Sequence, residues 1–336
     1  MVYAALDIHK SVFQGAVLDL ESGTLGERRF PASQQALEEW AAPYRGKLAA
    51  VAVEATSGWR WVVARLQALG FQVQLVDPGR ASALKGRRRG PKTDRLDARW
   101  LVELLARELA PESWIPPEEI QRLRDRTRLR KTLADERRRW AQRLHALLVQ
   151  EGWPCARGRL LTQQGRRWVD GLALEPGARA CVETALAMIA ACEGQLEPLE
   201  RELTRFARCD RRCRALVAIY GVGHILACHL LAEIGEAARF RRARQLVRAA
   251  GLDPVVADSG ERSRRGRLAK AGSPYLRFAL VEAAQQARRR SSPDHERYLR
   301  LRARLGAGRA KLQIARLIAA RAHRLLRETE REPLPA

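Results

Sequence analysis

The stretch LAAVAVEATSGWRWVVARLQALGFQVQLVD, residues 48–77, decides the fold class of the N-terminal region. Its first seven residues are almost entirely apolar and end at Glu54, which is typical of a buried strand. A helical segment, WRWVVARLQALG, follows and is closed by Gly70. FQVQLVD then forms a second strand that ends at Asp77. Strand, helix and strand in this order predict an α/β domain.

Three further strands are predicted before this stretch. VYAALD at residues 2–7 is short and apolar, SVFQGAVLDL at 11–20 alternates, and GTLGERRF follows a Glu-Ser-Gly turn. We expect these three strands to be antiparallel, with a helix from Ser33, its N-cap, to about Ala42. The order βββαβαβ with a following helix predicts a ribonuclease-H-like domain, in which strands one and four are neighbours.

The following helix is preceded by a glycine- and arginine-rich stretch, GRASALKGRRRGP, between Pro78 and Pro91. This composition predicts a mobile basic loop. The helix itself is expected to begin after Thr93, as its N-cap, and to run to about Leu109.

The chain beyond residue 112 is predicted to be helical. Two long charged amphipathic helices are expected, one over 117–150 and one from about 178 to 207. Their pattern is compatible with an antiparallel coiled coil and equally with two ordinary bundle helices. From about residue 209 a further helical domain begins, so the predicted boundaries are 1–112, 113–208 and 209–336.

The third predicted domain contains two features that point to nucleic acid. Helix, Gly221-Val222-Gly223 turn and helix have the form of a helix-hairpin-helix, whose exposed turn amides can meet a phosphate backbone. Residues 251–274 form a long polar segment between helices, and loops of that length are usually functional or disordered.

The charge of the chain predicts a polyanionic partner. The 336 residues include 62 Lys and Arg and 38 Asp and Glu, which gives a formal net charge of +24. Residues 1–78 carry a net charge of −1, whereas residues 239–336 carry +16. The excess positive charge therefore lies downstream of the predicted sheet and is concentrated in the C-terminal third.

Secretion and membrane insertion are not expected. The start MVYAALDIHK lacks a charged segment followed by an apolar signal core, and no apolar run approaches the roughly 18 residues that span a bilayer. The 6 cysteines form no close-spaced disulfide framework, which favours a reducing compartment.

Four acidic residues form a candidate metal site: Asp7, Glu54, Asp94 and Asp97. Asp7 and Glu54 end predicted neighbouring strands, and Asp94 and Asp97 lie on one face of a helix start. Carboxylates in this arrangement would converge on Mg²⁺, the ion used for phosphodiester chemistry. Each acid alone could equally be a turn or helix-start residue that the helix dipole favours.

Four motifs in this order resemble those of the IS110 transposases, a family that includes pilin-gene invertases and bridge-RNA-guided recombinases. The motifs are ALDIHK, VAVEATSGW, KTDRLDARWL and GLDPVVADSG with GRLAKAGSPYLRFALVEAA. The resemblance covers nearly the whole chain. It implies a RuvC-like DEDD domain made by the four acids above, a coiled coil, and a helical transposase domain with a nucleophilic serine.

The resemblance assigns the nucleophile to Ser259, with Ser263 as a less favoured alternative. A serine hydroxyl needs activation and a cationic environment for the developing phosphorane charge. Metal activation could come from the same chain or a partner chain. Basic residues near the serine and in the upstream loop are the predicted nucleic-acid contacts: Arg262, Arg264, Arg265, Arg267, Lys270, Arg87, Arg88, Arg89 and Lys92.

The resemblance implies a prokaryotic, cytoplasmic and nucleoid-associated recombinase. Its partners would be donor and target DNA, a structured noncoding guide RNA and one or three further copies of the chain, with no membrane. Two alternatives remain open. A metal-dependent nuclease of the Holliday-junction type would use the acids to hydrolyse DNA without a covalent intermediate, and a binding protein would have no catalytic use for them.

Overall fold

The computed structural model describes residues 1–85, 94–155, 158–259 and 262–332, with the backbone alone over 255–259 and 262–267. These residues form two compact units, Met1–Ile115 and Pro116–Ala336.

The first unit contains a five-stranded sheet. Its strands are β1 (Val2–Ile8), β2 (Val12–Asp19), β3 (Leu25–Pro31), β4 (Leu48–Glu54) and β5 (Val73–Val76), in the order β3-β2-β1-β4-β5. β1, β2 and β3 pair antiparallel, whereas β4 is parallel to both β1 and β5. The predictions of three antiparallel strands and of adjacent strands one and four are confirmed.

Four helices belong to the first unit: α1 (Gln34–Ala41), α2 (Trp59–Ala68), α3 (Pro78–Leu84) and α4 (Asp94–Ala106). The Ser33 hydroxyl accepts a hydrogen bond from the Ala36 amide at 3.2 Å, which confirms the predicted cap of α1. The prediction of a loop from Pro78 onward is wrong for 78–84, because Asp77 caps a helix that begins at Pro78. Thr93, the predicted cap of α4, and the rest of the predicted loop lie outside the described residues.

Helices cover both faces of the sheet, and the alternation of β1 and β4 decides which residues meet which helix. Leu6 and Val53 belong to the core under α1 and α2. Ala5 and Ala52 belong to the opposite core, under α4. Because a strand has a period of two, the residues that continue this second series, Asp7 and Glu54, project to the α4 side.

The second unit is mostly helical. Its helices are α5 (Glu118–Gln150), α6 (Gln163–Asp170), α7 (Pro176–Cys209), α8 (Arg211–Val217), α9 (His224–Ile234), α10 (Ala243–Ala249), α11 (Pro274–Ala284), α12 (His295–Leu305) and α13 (Ala307–Arg331). The two predicted long helices are thus confirmed as α5 and α7, while α6 between them was not predicted.

α5 and α7 pack side by side and run antiparallel. The ion pairs Arg126–Glu202 at 3.1 Å and Arg130–Glu200 at 2.6 Å join them at one end. Toward the other end, an apolar cluster that includes Leu148 and Val182 fills the space between them. Opposite charges along the outside and apolar contacts within hold the pair together.

The sequence suggested a loop over 251–274, but only part of this segment is a loop. It contains an antiparallel hairpin of β6 (Pro254–Ser259) and β7 (Arg262–Leu268). Arginines interrupt the apolar pattern of β7, so the usual sign of a half-buried strand is missing.

Among the described residues, no helix combines the length and apolarity that a membrane span requires. All six cysteines are free thiols, in line with the absence of a disulfide framework in the sequence.

Candidate functional site

Asp7 and Glu54 meet at one edge of the sheet because their strands are parallel neighbours. Leu6 of β1 pairs with Val53 of β4, so the next residues of both strands lie side by side. The Thr56 hydroxyl donates a hydrogen bond to the Ile8 carbonyl at 3.0 Å and ties the two strand ends together. Asp7 is only 2% exposed, and its carboxyl group interacts with that of Glu54.

α4 brings two more carboxylates to the same place. Asp94 and Asp97 lie in its first turn. The helix packs on β1, β2 and β4 through a buried face that includes Ala98 and Leu105. Burial is the main cause of the raised pKa values of Asp7 and Glu54. The charge of Asp94 adds to the rise at Asp7, and the charge of Asp97 adds to the rise at Glu54. The structure therefore gathers all four acids that the sequence singled out.

His9 also belongs to this group, although the sequence analysis did not select it. Its Nε2 atom lies 3.3 Å from Asp7 Oδ2 and 3.3 Å from Asp94 Oδ1. One ligand atom from each of these three residues lies within 4.8 Å of the others. The available signal was the strand period, which places residue 9 on the side of residue 7.

The carboxyl groups of this cluster repel one another when they are ionised. Burial raises the pKa of Asp7 above its ordinary value, and burial followed by the charge of Asp7 raises the pKa of Glu54 to about 7. Two nearby cationic groups offset part of the repulsion: His9, when protonated, and Lys85, whose ammonium forms an ion pair with Asp97.

The donor set suits a hard divalent cation. Such ions take carboxylate oxygens and keep water or phosphate oxygens in their remaining positions. Asp7 and Glu54, whose interacting carboxyl groups both have raised pKa values, are a pair whose repulsion a bound cation would relieve. The residues present therefore fit a divalent metal ion.

The hairpin of β6 and β7 carries the other predicted residues. Ser259 is the last residue of β6 and pairs with Arg262, while Asp258 pairs with Ser263. Arg264, Arg265 and Arg267 follow on β7, and Lys270 is exposed just after it. Arg87, Arg88, Arg89 and Lys92, also predicted to contact nucleic acid, lie outside the described residues.

Backbone hydrogen bonds fix the base of this hairpin. The Ala269 amide donates to the Asp253 carbonyl at 2.8 Å, and the Ser273 amide donates to the Ala249 carbonyl at 2.8 Å. Gly272 has φ +140°, and a Cβ atom there would lie 2.3 Å from the Ala249 carbonyl oxygen. Only glycine permits this close approach of two backbone segments.

A buried ionic network lies directly after the hairpin, and the sequence analysis did not foresee it. The Glu233 carboxylate on α9 accepts hydrogen bonds from Arg128 of α5 at 2.9 and 3.2 Å. It also accepts one at 2.7 Å from Ser273, which caps α11. Glu233 is 4% exposed. The carboxylate thus accepts hydrogen bonds from both Arg128 and Ser273. The network fixes the start of α11 against α5 and α9.

An exposed arginine surface lies on α12 and just before it. Arg297, Arg300 and Arg304 recur at helical spacing on one side of α12, and Arg288, Arg289 and Arg290 precede the helix. Within the described residues, none of the three on α12 has an acidic partner. In the sequence, runs of arginine alone do not reveal that these side chains share one face.

Two family profiles match this chain. A family profile described as "Transposase IS116/IS110/IS902 family" matches residues 213–300. A second profile, described as a transposase and named for the DEDD domain of IS110, matches residues 4–152, which include the four acids.

Three relatives show how far the similarity extends. A protein of Sinorhizobium fredii named as transposase y4rJ is 32% identical over 247 residues, which are 67% of this chain and 62% of that protein. The transposase for insertion sequence element IS1111A of Coxiella burnetii is 24% identical over 286 residues, 83% of this chain and 76% of that protein. The transposase for insertion sequence element IS1328 of Yersinia enterocolitica is 26% identical over 236 residues, 70% of each chain.

The two profiles together define the class, a transposase with an N-terminal DEDD domain. The chain belongs to the IS116/IS110/IS902 family of transposases. It spans less than two thirds of the length of the Sinorhizobium relative.

Proposed function

We propose that this protein is a DNA transposase that cuts and rejoins strands through a bond between Ser259 and a DNA phosphate. The observation that carries the proposal is the convergence of Asp7, Glu54, Asp94 and Asp97 at one sheet edge, in a member of a transposase family. The order β3-β2-β1-β4-β5 supports a ribonuclease-H-like, RuvC-like assignment of this unit.

The four carboxylates are proposed to hold Mg²⁺. When bound, this ion would stabilise negative charge on a phosphate during strand cleavage. The contribution of the chain is to keep the carboxylates together: β1 and β4 hold Asp7 and Glu54, and the buried face of α4 holds Asp94 and Asp97 toward them.

The proposed covalent step exchanges one phosphate ester for another. The Ser259 oxygen forms a bond to phosphorus as the bond between phosphorus and the leaving sugar oxygen breaks. The hydroxyl proton is lost to a base, and the leaving oxygen gains a proton. Because the number of phosphodiester bonds is conserved, a DNA hydroxyl can reverse the step without nucleotide hydrolysis. Arg262 and the other basic residues of β7 would bind the phosphate.

DNA as substrate is supported by the distribution of charge. The net charge of +24 and the arginine surface of α12 suit a partner with a continuous phosphate backbone. By resemblance we include a structured noncoding RNA that selects donor and target DNA, and assembly into a dimer or tetramer. The discrete RNA should copurify with the protein from its host.

The three segments 1–112, 113–208 and 209–336 are proposed to act as the DEDD domain, a coiled-coil region formed by the long helices, and the transposase domain. The antiparallel packing of α5 and α7 supports the second assignment.

The test is the detection of protein covalently joined to DNA. Wild-type protein with Mg²⁺ and element-end DNA should give an adduct that survives denaturation, and a protease should remove it. Ser259→Ala should abolish the adduct while leaving DNA binding unchanged, whereas the matched variant Ser263→Ala should retain it. An adduct that persists in Ser259→Ala would exclude this nucleophile. Free ends without any adduct in the wild type would favour the Holliday-junction-type nuclease.

A further inference from the structure

The imidazole of His9 lies between two carboxylates of the proposed metal centre. Its Nε2 atom is equally distant, at 3.3 Å, from Asp7 Oδ2 and Asp94 Oδ1. The His9 side chain is 48% exposed, whereas that of Asp7 is 3% exposed. His9 therefore closes the open side of the cluster, where Asp7 forms the buried side.

The backbone holds His9 in this position. β1 ends at Ile8, and the His9 amide donates a hydrogen bond to the Val12 carbonyl at 3.1 Å, which closes the turn into β2. The ring is thus carried by a short turn between two paired strands. Positions fixed by strand ends are more precise than positions on long loops.

The distances from His9 Nε2 to the two carboxylate oxygens are near those between neighbouring ligands around one ion. In an octahedral complex with metal–ligand distances of about 2.1 Å, adjacent ligand atoms lie about 3 Å apart. The two distances of 3.3 Å from His9 Nε2 are close to this value. Small side-chain movements would bring all three atoms onto one cation.

We propose that His9 is a direct ligand of the divalent ion and that its nitrogen makes the centre prefer Mn²⁺ to Mg²⁺. The inference rests on the proposed metal centre of Asp7, Glu54, Asp94 and Asp97. Mg²⁺ demands hard oxygen ligands, whereas imidazole suits transition metals and Mn²⁺ also accepts carboxylates. A mixed set of carboxylates and one imidazole therefore favours Mn²⁺ over Mg²⁺.

The competing role for His9 is that of a counter-charge. A protonated imidazole between two carboxylates would be displaced when a cation binds, and its removal would then strengthen metal binding. The two roles predict opposite changes in affinity, which makes a substitution decisive.

The experiment uses the full chain with Mn²⁺ or Mg²⁺ alone. Calorimetry gives the affinity for each ion, and pulsed electron paramagnetic resonance of bound Mn²⁺ detects a directly coordinated nitrogen. Wild type is compared with His9→Asn and with His224→Asn, a matched change in the second unit. His9→Asn should weaken Mn²⁺ binding by about tenfold or more and Mg²⁺ binding by less, and should remove the nitrogen signal. His224→Asn should match the wild type.

The outcomes separate this inference from the metal centre itself. Unchanged or tighter Mn²⁺ binding in His9→Asn, or a nitrogen signal that persists there, would refute ligation by His9. Asp94→Asn serves as the second variant, because it should weaken both ions whatever His9 does. If Asp94→Asn loses binding and His9→Asn does not, the centre stands without this ligand. If the wild type binds neither ion, both ideas fail.

Discussion

Asp7 and Glu54 belong to two different strands, yet the parallel pairing of β1 with β4 places them side by side, close enough for their carboxyl groups to interact. Burial disfavours the charged form of both carboxyl groups, and two such groups side by side cannot both ionise freely. The pKa of Glu54 is consequently raised to about 7, so a proton occupies the pair through much of the acidic range. The position of this pair is set by the pairing of β1 with β4, which places like charges together at a cost in stability.

Metal binding should therefore stabilise the first unit. A ligand at a hundred times its dissociation constant adds about 2.7 kcal/mol to the free energy of unfolding. We expect Mg²⁺ to raise the melting temperature of the wild type and a chelator to reverse the rise. Asp94→Asn should lose the response and, in chelator, be at least as stable as wild type because one repulsive charge is gone. The control Asp135→Asn, at an i,i+4 ion pair on α5, should respond like the wild type.

The arginine surface of α12 should contribute to DNA affinity through phosphate contacts. Replacing Arg297, Arg300 and Arg304 together by Gln should weaken binding of duplex DNA and lower the salt slope by about 2 to 3. Fluorescence anisotropy over a range of salt concentrations measures both quantities. The matched triple variant changes Arg122, Arg138 and Arg201, which already pair with acids on their own helices. An equal loss in both triple variants would show a general charge effect instead of a binding surface.

The Glu233 network should matter more for stability than a more exposed ion pair that also involves α5. Glu233→Ala leaves Arg128 and Ser273 without their buried partner, and we expect a loss of about 3 kcal/mol in the free energy of unfolding. Glu202→Ala, which removes the half-exposed partner of Arg126, should cost less than about 1 kcal/mol. Urea unfolding distinguishes the two. Equal costs would mean that burial adds nothing to the Glu233 interaction.

Because of His229, we expect the free energy of unfolding to fall in mild acid. The side chain is fully buried, and within the described residues neither ring nitrogen has a hydrogen-bond partner. Burial, followed by the charge of Arg130, lowers its pKa from 6.5 to about 4. The unfolded chain therefore takes up the proton first, so stability is full above pH 6.5 and declines as the pH falls toward 4.

The expected contribution of His229 is about 2 kcal/mol between pH 7.5 and pH 5. His229→Leu should lack this part of the pH dependence, and all other titrating groups cancel when the two proteins are compared. Urea unfolding at the two pH values provides the measurement. Parallel pH profiles for wild type and His229→Leu would contradict the lowered pKa.

Much of the first unit could be predicted because its signals are local. Apolar runs predict buried strands, and Glu54 at the end of one such run indicated where that strand ends. α3 was missed although Asp77 and Pro78 are good helix-start residues, because the glycines and arginines that follow favoured a loop. His9 was missed because it follows the end of β1, so the strand period that places it on the side of Asp7 was not extended to it.

The second unit was harder to predict for a physical reason. Glu233, Arg128 and Ser273 come from three helices that are far apart in the chain, so no local spacing connects them. The hairpin was missed because β7 consists mostly of arginine with Ser263 and Gly266 and lacks an apolar face in the sequence. Interactions that depend on which helix packs against which are determined by the tertiary structure.

The clamped base of the β6–β7 hairpin limits how far its end can travel. A strand rises about 3.3 Å per residue, so Ser259 can stand no more than about 20 Å from Asp253, where the backbone is tied to Ala269. If Ser259 is the nucleophile, the short hairpin and its fixed base limit the positions that this residue can reach. The surfaces that bind the DNA must then place the phosphate within reach of Ser259. These surfaces would therefore determine the position of cleavage.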